Sequence, residues 1–305
     1  MKKIMNRPVI ALLSAVLIAG CGSKGEGGSS SGSTGPNLKE LTKQLAVTVQ
    51  ETGLESKYAS ISEIGTNIDK DLIGTWKNRA EDVVYSFAEN GQVTTEAYGE
   101  TLTDPYTCLE QNGVKMFALD ADVYMYVDDE AAEQSQTVSY MAYKVDGDVL
   151  YMAAVESPDG VQTMSQTALQ ILYKADDAGS IDMSRKNNPV SLESFFGSWS
   201  GDHSITIGTD GLKTDSGTYA LSFDDQGKLT AEKDGVKTAY NFTISRSRRY
   251  AVDTHELEKD GYSLLLTYEG ADEKDVPNLI DIMEDWKKDY GYSDWRYTAT
   301  FDLDE

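Results

Sequence analysis

Histidine, cysteine and proline are nearly missing from this 305-residue chain, which holds 2 His, 2 Cys and 6 Pro. Two His and two Cys leave too little material for a structural zinc site, which draws on four such ligands. Few Pro, with 18 Tyr against 7 Phe, suit half-buried strands better than a disordered chain. Positive charge is also scarce, with 27 Lys and Arg against 51 Asp and Glu and a formal net charge of −24. Such a chain repels phosphates rather than releasing their counterions, which excludes nucleic acid as a partner. One long hydrophobic run is present, residues 9–19, and it is too short to span a bilayer comfortably. Against these shortages, 40% hydrophobic residues suffice for packed cores, and the length allows two ordinary domains.

That apolar run follows Lys2, Lys3 and Arg7 and has the length of a signal-peptide core. It ends in Leu17-Ile18-Ala19-Gly20-Cys21, which resembles the lipobox of bacterial lipoproteins. The resemblance implies a signal peptide over residues 1–20, cleavage before Cys21, and diacylglycerol on the Cys21 thiol. It also implies a lipid-anchored protein at a bacterial membrane, facing outside the cytoplasm. The alternative is an ordinary secretory signal with a chance cysteine. Several acyl chains hold a protein stably where one does not. Loss of the signal takes the charge from −24 to −27, which disfavours further contact with anionic head groups. Residues 22–36 hold six Gly, five Ser, one Thr and one Pro, so residues 21–36 read as lipidated Cys and flexible tether. Such a tether reaches about 50 Å when extended. Gly20–Gly25 and Gly28–Gly32 match a dinucleotide fingerprint and a nucleophile elbow, but neither lies between a strand and a helix. Cys108 is then the sole free thiol, expected on a half-buried strand with nothing nearby to activate it.

Residues 37–71 read as a helical leader packed on a first barrel. Asn37 and Glu40 resemble a capping box, Leu38, Leu41, Leu45 and Val49 share a helical face, and Gly53 stops it. Tyr58, Ile61, Ile64 and Ile68 suggest a second stripe. Short strands follow, near residues 83–87, 92–98, 107–110, 114–119, 123–127, 138–145, 149–155 and 169–173. Asn112-Gly113 and Asp146-Gly147 are hairpin signals, and about eight closely spaced strands predict an antiparallel meander or barrel. The pattern then restarts. Leu72-Ile73-Gly74-Thr75-Trp76 is echoed by Phe195-Phe196-Gly197-Ser198-Trp199, and Phe87-Ala88-Glu89-Asn90-Gly91 by Ile207-Gly208-Thr209-Asp210-Gly211. These echoes indicate an internal duplication; chance and a single large sheet are the alternatives. Helical spacing of Val276, Leu279, Ile280, Met283, Trp286 and Tyr290 predicts one inserted helix over 275–290, closing an end of the second barrel.

A Gly-x-Trp opening the first strand, after an apolar pair, resembles the lipocalin-like domains of bacterial lipoproteins. The resemblance covers roughly residues 66–174 and 188–302. It implies a Trp across the closed end of each barrel, stacked under a basic residue of the last strand. That makes Trp76 and Trp199 the barrel-closing residues, with Arg296 matched to Trp199 and Lys174, more weakly, to Trp76. The expected fold is mainly β: tandem lipocalin-like barrels at 72–175 and 190–305 joined by a linker at 176–189. Ligand binding carries over only by analogy of fold.

No constellation for catalysis emerges. His203 reads as a core or rim residue beside Ile205 and Ile207, and His255-Glu256 lacks the second His of a zinc-protease helix. The acidic clusters, such as Asp128-Asp129-Glu130 and Asp272-Glu273, lack calcium-loop spacing. No metal, cofactor or enzymatic activity is expected. The one local charge reversal, Arg246-Ser247-Arg248-Arg249, reads either as a solvated turn or as a rim site for a carboxylate or phosphate. Two functions follow. The leading one is a non-catalytic lipoprotein holding a small hydrophobic, amphipathic or anionic ligand in a barrel. The other is a surface-displayed module with solid barrels that binds an envelope protein.

Overall fold

The computed structural model describes residues 35–54, 58–79, 81–97, 99–127, 130–156, 164–181, 190–251, 256–269, 284–286 and 296–304, with the side chains at 121–137, 269, 284–286 and 296–297 left aside. The expected signal peptide, Cys21 and His255 lie outside these residues.

Eight antiparallel strands close the first ring. They are β1 (Gly74–Lys77), β2 (Val83–Phe87), β3 (Gln92–Ala97), β4 (Glu100–Gln111), β5 (Val114–Val127), β6 (Glu130–Asp146), β7 (Val149–Ala154) and β9 (Gln170–Lys174), the last pairing back to β1. Asn112 and Gly113 both have positive φ, 49° and 79°, as a tight two-residue hairpin between right-twisted strands requires. The expected strands at 114–119 and 123–127 are one strand, β5, which pairs with β6 well past the point where β4 leaves it. Residues 92–97 and 100–105 pair as β3 and β4, so β4 begins earlier than expected.

The second ring runs β10 (Gly197–Ser200), β11 (Ser204–Gly208), β12 (Gly211–Thr214), β13 (Gly217–Phe223), β14 (Leu229–Lys233), β15 (Val236–Tyr250), β16 (Leu257–Glu269) and β18 (Arg296–Leu303). β18 pairs with β10 and closes it. The chain thus folds as two closed eight-stranded antiparallel barrels in tandem, as the echoes predicted.

Two strands lie off these rings. β17 (Glu284–Trp286) pairs with Arg296–Thr298 of β18, so the expected helix over 275–290 does not run through these residues. The reason is an edge: β10 reaches only Asp302 and Leu303 of β18, and β17 takes backbone groups at the other end of the strand. β8 (Met164–Ala168) leaves the first ring between β7 and β9 and pairs with Ser245–Arg249 of β15. β14 stops at Tyr240 of β15, so β8 covers ladder positions that would otherwise be open.

The helix expected to run from Leu38 to a stop at Gly53 is broken in two. In α1 (Leu38–Leu45) the Asn37 side chain accepts from the Lys39 and Glu40 N–H groups. The chain then extends, because Val47 and Val49 exchange backbone hydrogen bonds with Glu156 just past β7. Helix restarts at α2 (Val49–Thr52) through a Thr48–Glu51 capping box and ends at left-handed Gly53. Ile61–Ile64 makes a single helical turn.

Where the leader sits decides how the barrels meet. Outside residues 121–137, strands β5 to β7 carry buried apolar side chains on both faces. Phe117, Met141, Tyr143, Leu150 and Met152 point into the first barrel. Met116, Ala118, Tyr140, Ala142, Tyr151 and Ala153, of the opposite parity, are buried outside it in one cluster with Leu38, Leu41 and Leu45. That cluster continues into Ile205, Ile207, Phe242, Ile244, Leu264 and Phe301 of the second barrel. The leader therefore packs between the two barrels rather than on the first alone.

Candidate functional site

The Gly-x-Trp pair comes out nearly identical in the two barrels. Trp76 and Trp199 are fully buried, and each indole N–H donates over 2.7 Å to a carbonyl four residues upstream, of Leu72 and Phe195. The glycines two residues before have φ of 129° and 149°, where a side chain is strained, and each lies under the residue the closing strand brings across. Over Gly74 that is Lys174, and over Gly197 it is Leu303.

The cation on each ring differs. Lys174 Nζ stands 5.2 Å from the Trp76 ring centroid. For Trp199 the register puts Leu303 opposite, while Arg296 lies seven residues upstream, opposite Glu269 and Trp286. Arg296 is thus not at the position that matches Lys174. The second cation comes from the leader: Lys39 Nζ lies 5.9 Å from the Trp199 centroid and donates to the Phe196 carbonyl. Burial holds the Lys39 ammonium below its ordinary pKa. Nothing local in the sequence marks Lys39, since the contact spans 160 residues of chain.

Large side chains pack inside both barrels. In the first, Phe87 meets Tyr106 and Phe117 edge-on at 5.2 and 5.1 Å between centroids. Tyr143 donates its hydroxyl to Asp69, which also accepts from Lys115, each over 2.8 Å. Burial raises the Cys108 thiol above its ordinary value, which suits a packed residue and not a nucleophile. In the second barrel Phe195 stacks edge-on against Phe242 at 5.0 Å, and Phe223 lies 6.1 Å from both. His203 lies in the bend between β10 and β11 and is exposed, not on a core face. Among the described residues no group of His, Cys, Asp or Glu is placed to hold a metal, and no helix is long and apolar enough to cross a membrane.

The arginine run is where the structure departs most from expectation. Arg246 to Arg249 are part of β15, not a turn. Cross-strand pairs Phe242–Leu266 and Ile244–Leu264 continue as Arg246–Tyr262 and Arg248–Asp260. Arg246 and Arg248 therefore extend the inner row of the barrel past its mouth, where the leader covers them. Both are buried, at 6% and 1% exposure, whereas Arg249 on the opposite face is exposed.

Their partners come from three parts of the chain. Arg246 grips Asp260 with two N–H groups, at 2.8 and 2.6 Å, and donates to the Ala46 carbonyl at 2.9 Å. Arg248 donates to Glu156 at 2.9 Å and to the same carbonyl at 2.6 Å. Glu51 of α2 bridges the two arginines, at 3.1 and 3.0 Å. Glu156 also accepts from the Ser165 and Thr167 hydroxyls of β8. The cluster thus joins the leader, the first barrel, β8 and the second barrel around two buried cations. Burial opposes the Arg246 charge, but Asp260 and Glu51 outweigh it and hold the guanidinium more firmly protonated than usual. Arg246 in turn holds the Asp260 carboxyl below its ordinary value. The pair is a clamp at the seam, its donors engaged by the chain's own carboxylates.

No family model, curated protein or solved structure matches the chain.

The Asp260 shift fixes a pH dependence. A carboxylate with a lowered folded pKa adds stability above its unfolded pKa, near 3.9, and loses it as pH falls through the folded value. Asp260→Asn should therefore lower Tm at pH 7, with a gap to wild type that narrows below about pH 4. Thermal melts of both proteins at pH 7 and pH 3 check this, and an equal gap at both pH values contradicts it.

Proposed function

We propose that the chain is a non-catalytic envelope lipoprotein whose two filled barrels and leader act as one rigid body displayed to a protein partner. The observation that carries this is the seam. The arginines best suited to recognise an anionic ligand are engaged by the chain's own carboxylates, and the barrel mouth they line is covered by the leader. Ligand binding would call on the same arginines and on the tyrosines as the lining of a cavity. Tyr85, Tyr106 and Tyr143 instead pack into the core of the first barrel, and Tyr140 and Tyr151 into the seam. A rigid body on a Gly- and Ser-rich tether suits display, and strong negative charge favours solubility.

Native mass spectrometry of the protein purified from its own host tests the filled-barrel reading. The expected spectrum is the bare lipidated chain; a retained small molecule, lost on unfolding, overturns it. The anchor has its own test. Cys21→Ala should abolish partitioning into detergent, and unchanged partitioning would rule out lipid on Cys21.

A further inference from the structure

Glu51 is the odd member of the arginine cluster. Its carboxylate accepts one hydrogen bond from each Nη2, at 3.1 Å from Arg246 and 3.0 Å from Arg248, and a third from the Thr48 backbone N–H at 2.7 Å. The arginine side chains are 7% and 1% exposed, yet Glu51 is 43% exposed, so Glu51 is the solvent-facing member that covers the buried pair. Asp260 and Glu156 stay on the arginines without Glu51 and balance their charge. Removing Glu51 then leaves three convergent donors without an acceptor, two of them on planar guanidinium forks suited to carboxylate and phosphate.

We propose that Arg246, Arg248 and the Thr48 N–H form an oxyanion site whose resident occupant is the chain's own Glu51, and that a phosphate or carboxylate from outside takes the site when Glu51 leaves it. This goes beyond the display function and does not depend on it: a filled barrel can carry such a site at its seam, and a ligand-binding barrel can too. The leader is then held partly by an exchangeable contact. Wild type resists exchange because α2 presents Glu51 at high effective concentration.

The test uses the full chain, wild type and Glu51→Ala, melted in rising sodium phosphate at constant ionic strength balanced with sodium chloride. Glu51→Ala should melt below wild type and regain about 2–4 °C saturably with phosphate, while wild type barely responds. Sodium acetate in a parallel arm separates the two sources: rescue by both assigns a general oxyanion site, and rescue by phosphate alone assigns a phosphate site. Equal responses of variant and wild type to phosphate overturn the proposal. Should the alanine variant fail to fold, Glu51→Ser, which keeps a hydroxyl near the Thr48 N–H, is examined by equilibrium dialysis against labelled phosphate. One site per chain is expected, and binding no greater than in wild type overturns it.

Discussion

Arg248→Ala should cost about 3–5 kcal/mol of unfolding free energy, because it strips the cation from a buried pair and leaves the carboxylate behind. The residue is 1% exposed and touches four residues: Ala46 and Glu51 in the leader, Glu156 after β7, and Asp260 on β16. Glu156 is only 16% exposed and would keep just its two hydroxyl donors from β8. Urea unfolding of the two proteins at pH 7 measures the loss. A double-mutant cycle with Glu156→Gln should return a coupling above about 1 kcal/mol, since the two groups share one network. A surface pair would give less than that, and the loss on Arg248→Ala would stay under about 1 kcal/mol.

Trp199→Ala should be comparably severe, at about 3–5 kcal/mol, because it deletes a fully buried indole and leaves a cavity the barrel end cannot close. The same substitution orphans the Phe195 carbonyl and takes away the ring beneath Lys39. Trp76→Ala in the first barrel should match it, since its ring is as buried and its indole N–H has the equivalent acceptor. Chemical unfolding reports both. A loss under about 1 kcal/mol at either position would mean that the ring does not close its barrel.

The two barrels were legible in the sequence because their signals are local. Strand alternation, the Asn112-Gly113 hairpin and the repeated Gly-x-Trp each occupy a few residues and need no knowledge of the rest of the chain. The glycines of those repeats explain themselves once the closing strand is seen to cross over them. The seam was not legible, for the opposite reason. β8 is the polar run Met-Ser-Gln-Thr-Ala, with nothing to mark it as a strand until β15 is seen to need a neighbour there. Lys39 reads as an ordinary helix-surface residue until Trp199 arrives beneath it. Arg246 and Arg248 read as a turn because clustered cations are normally solvated. Only the carboxylates of Glu51, Glu156 and Asp260, brought from far apart, make their burial tolerable. At 284–286 the helical period misled because apolar spacing cannot register an open strand edge, and β18 supplies one.

The claim that leader, β8 and arginine clamp make one body of two barrels is met most directly by calorimetry. Heating the full chain at neutral pH should give a single transition, with calorimetric and van 't Hoff enthalpies equal, because neither barrel keeps its buried face without the other. Two separate transitions, unchanged by Arg248→Ala, would contradict it.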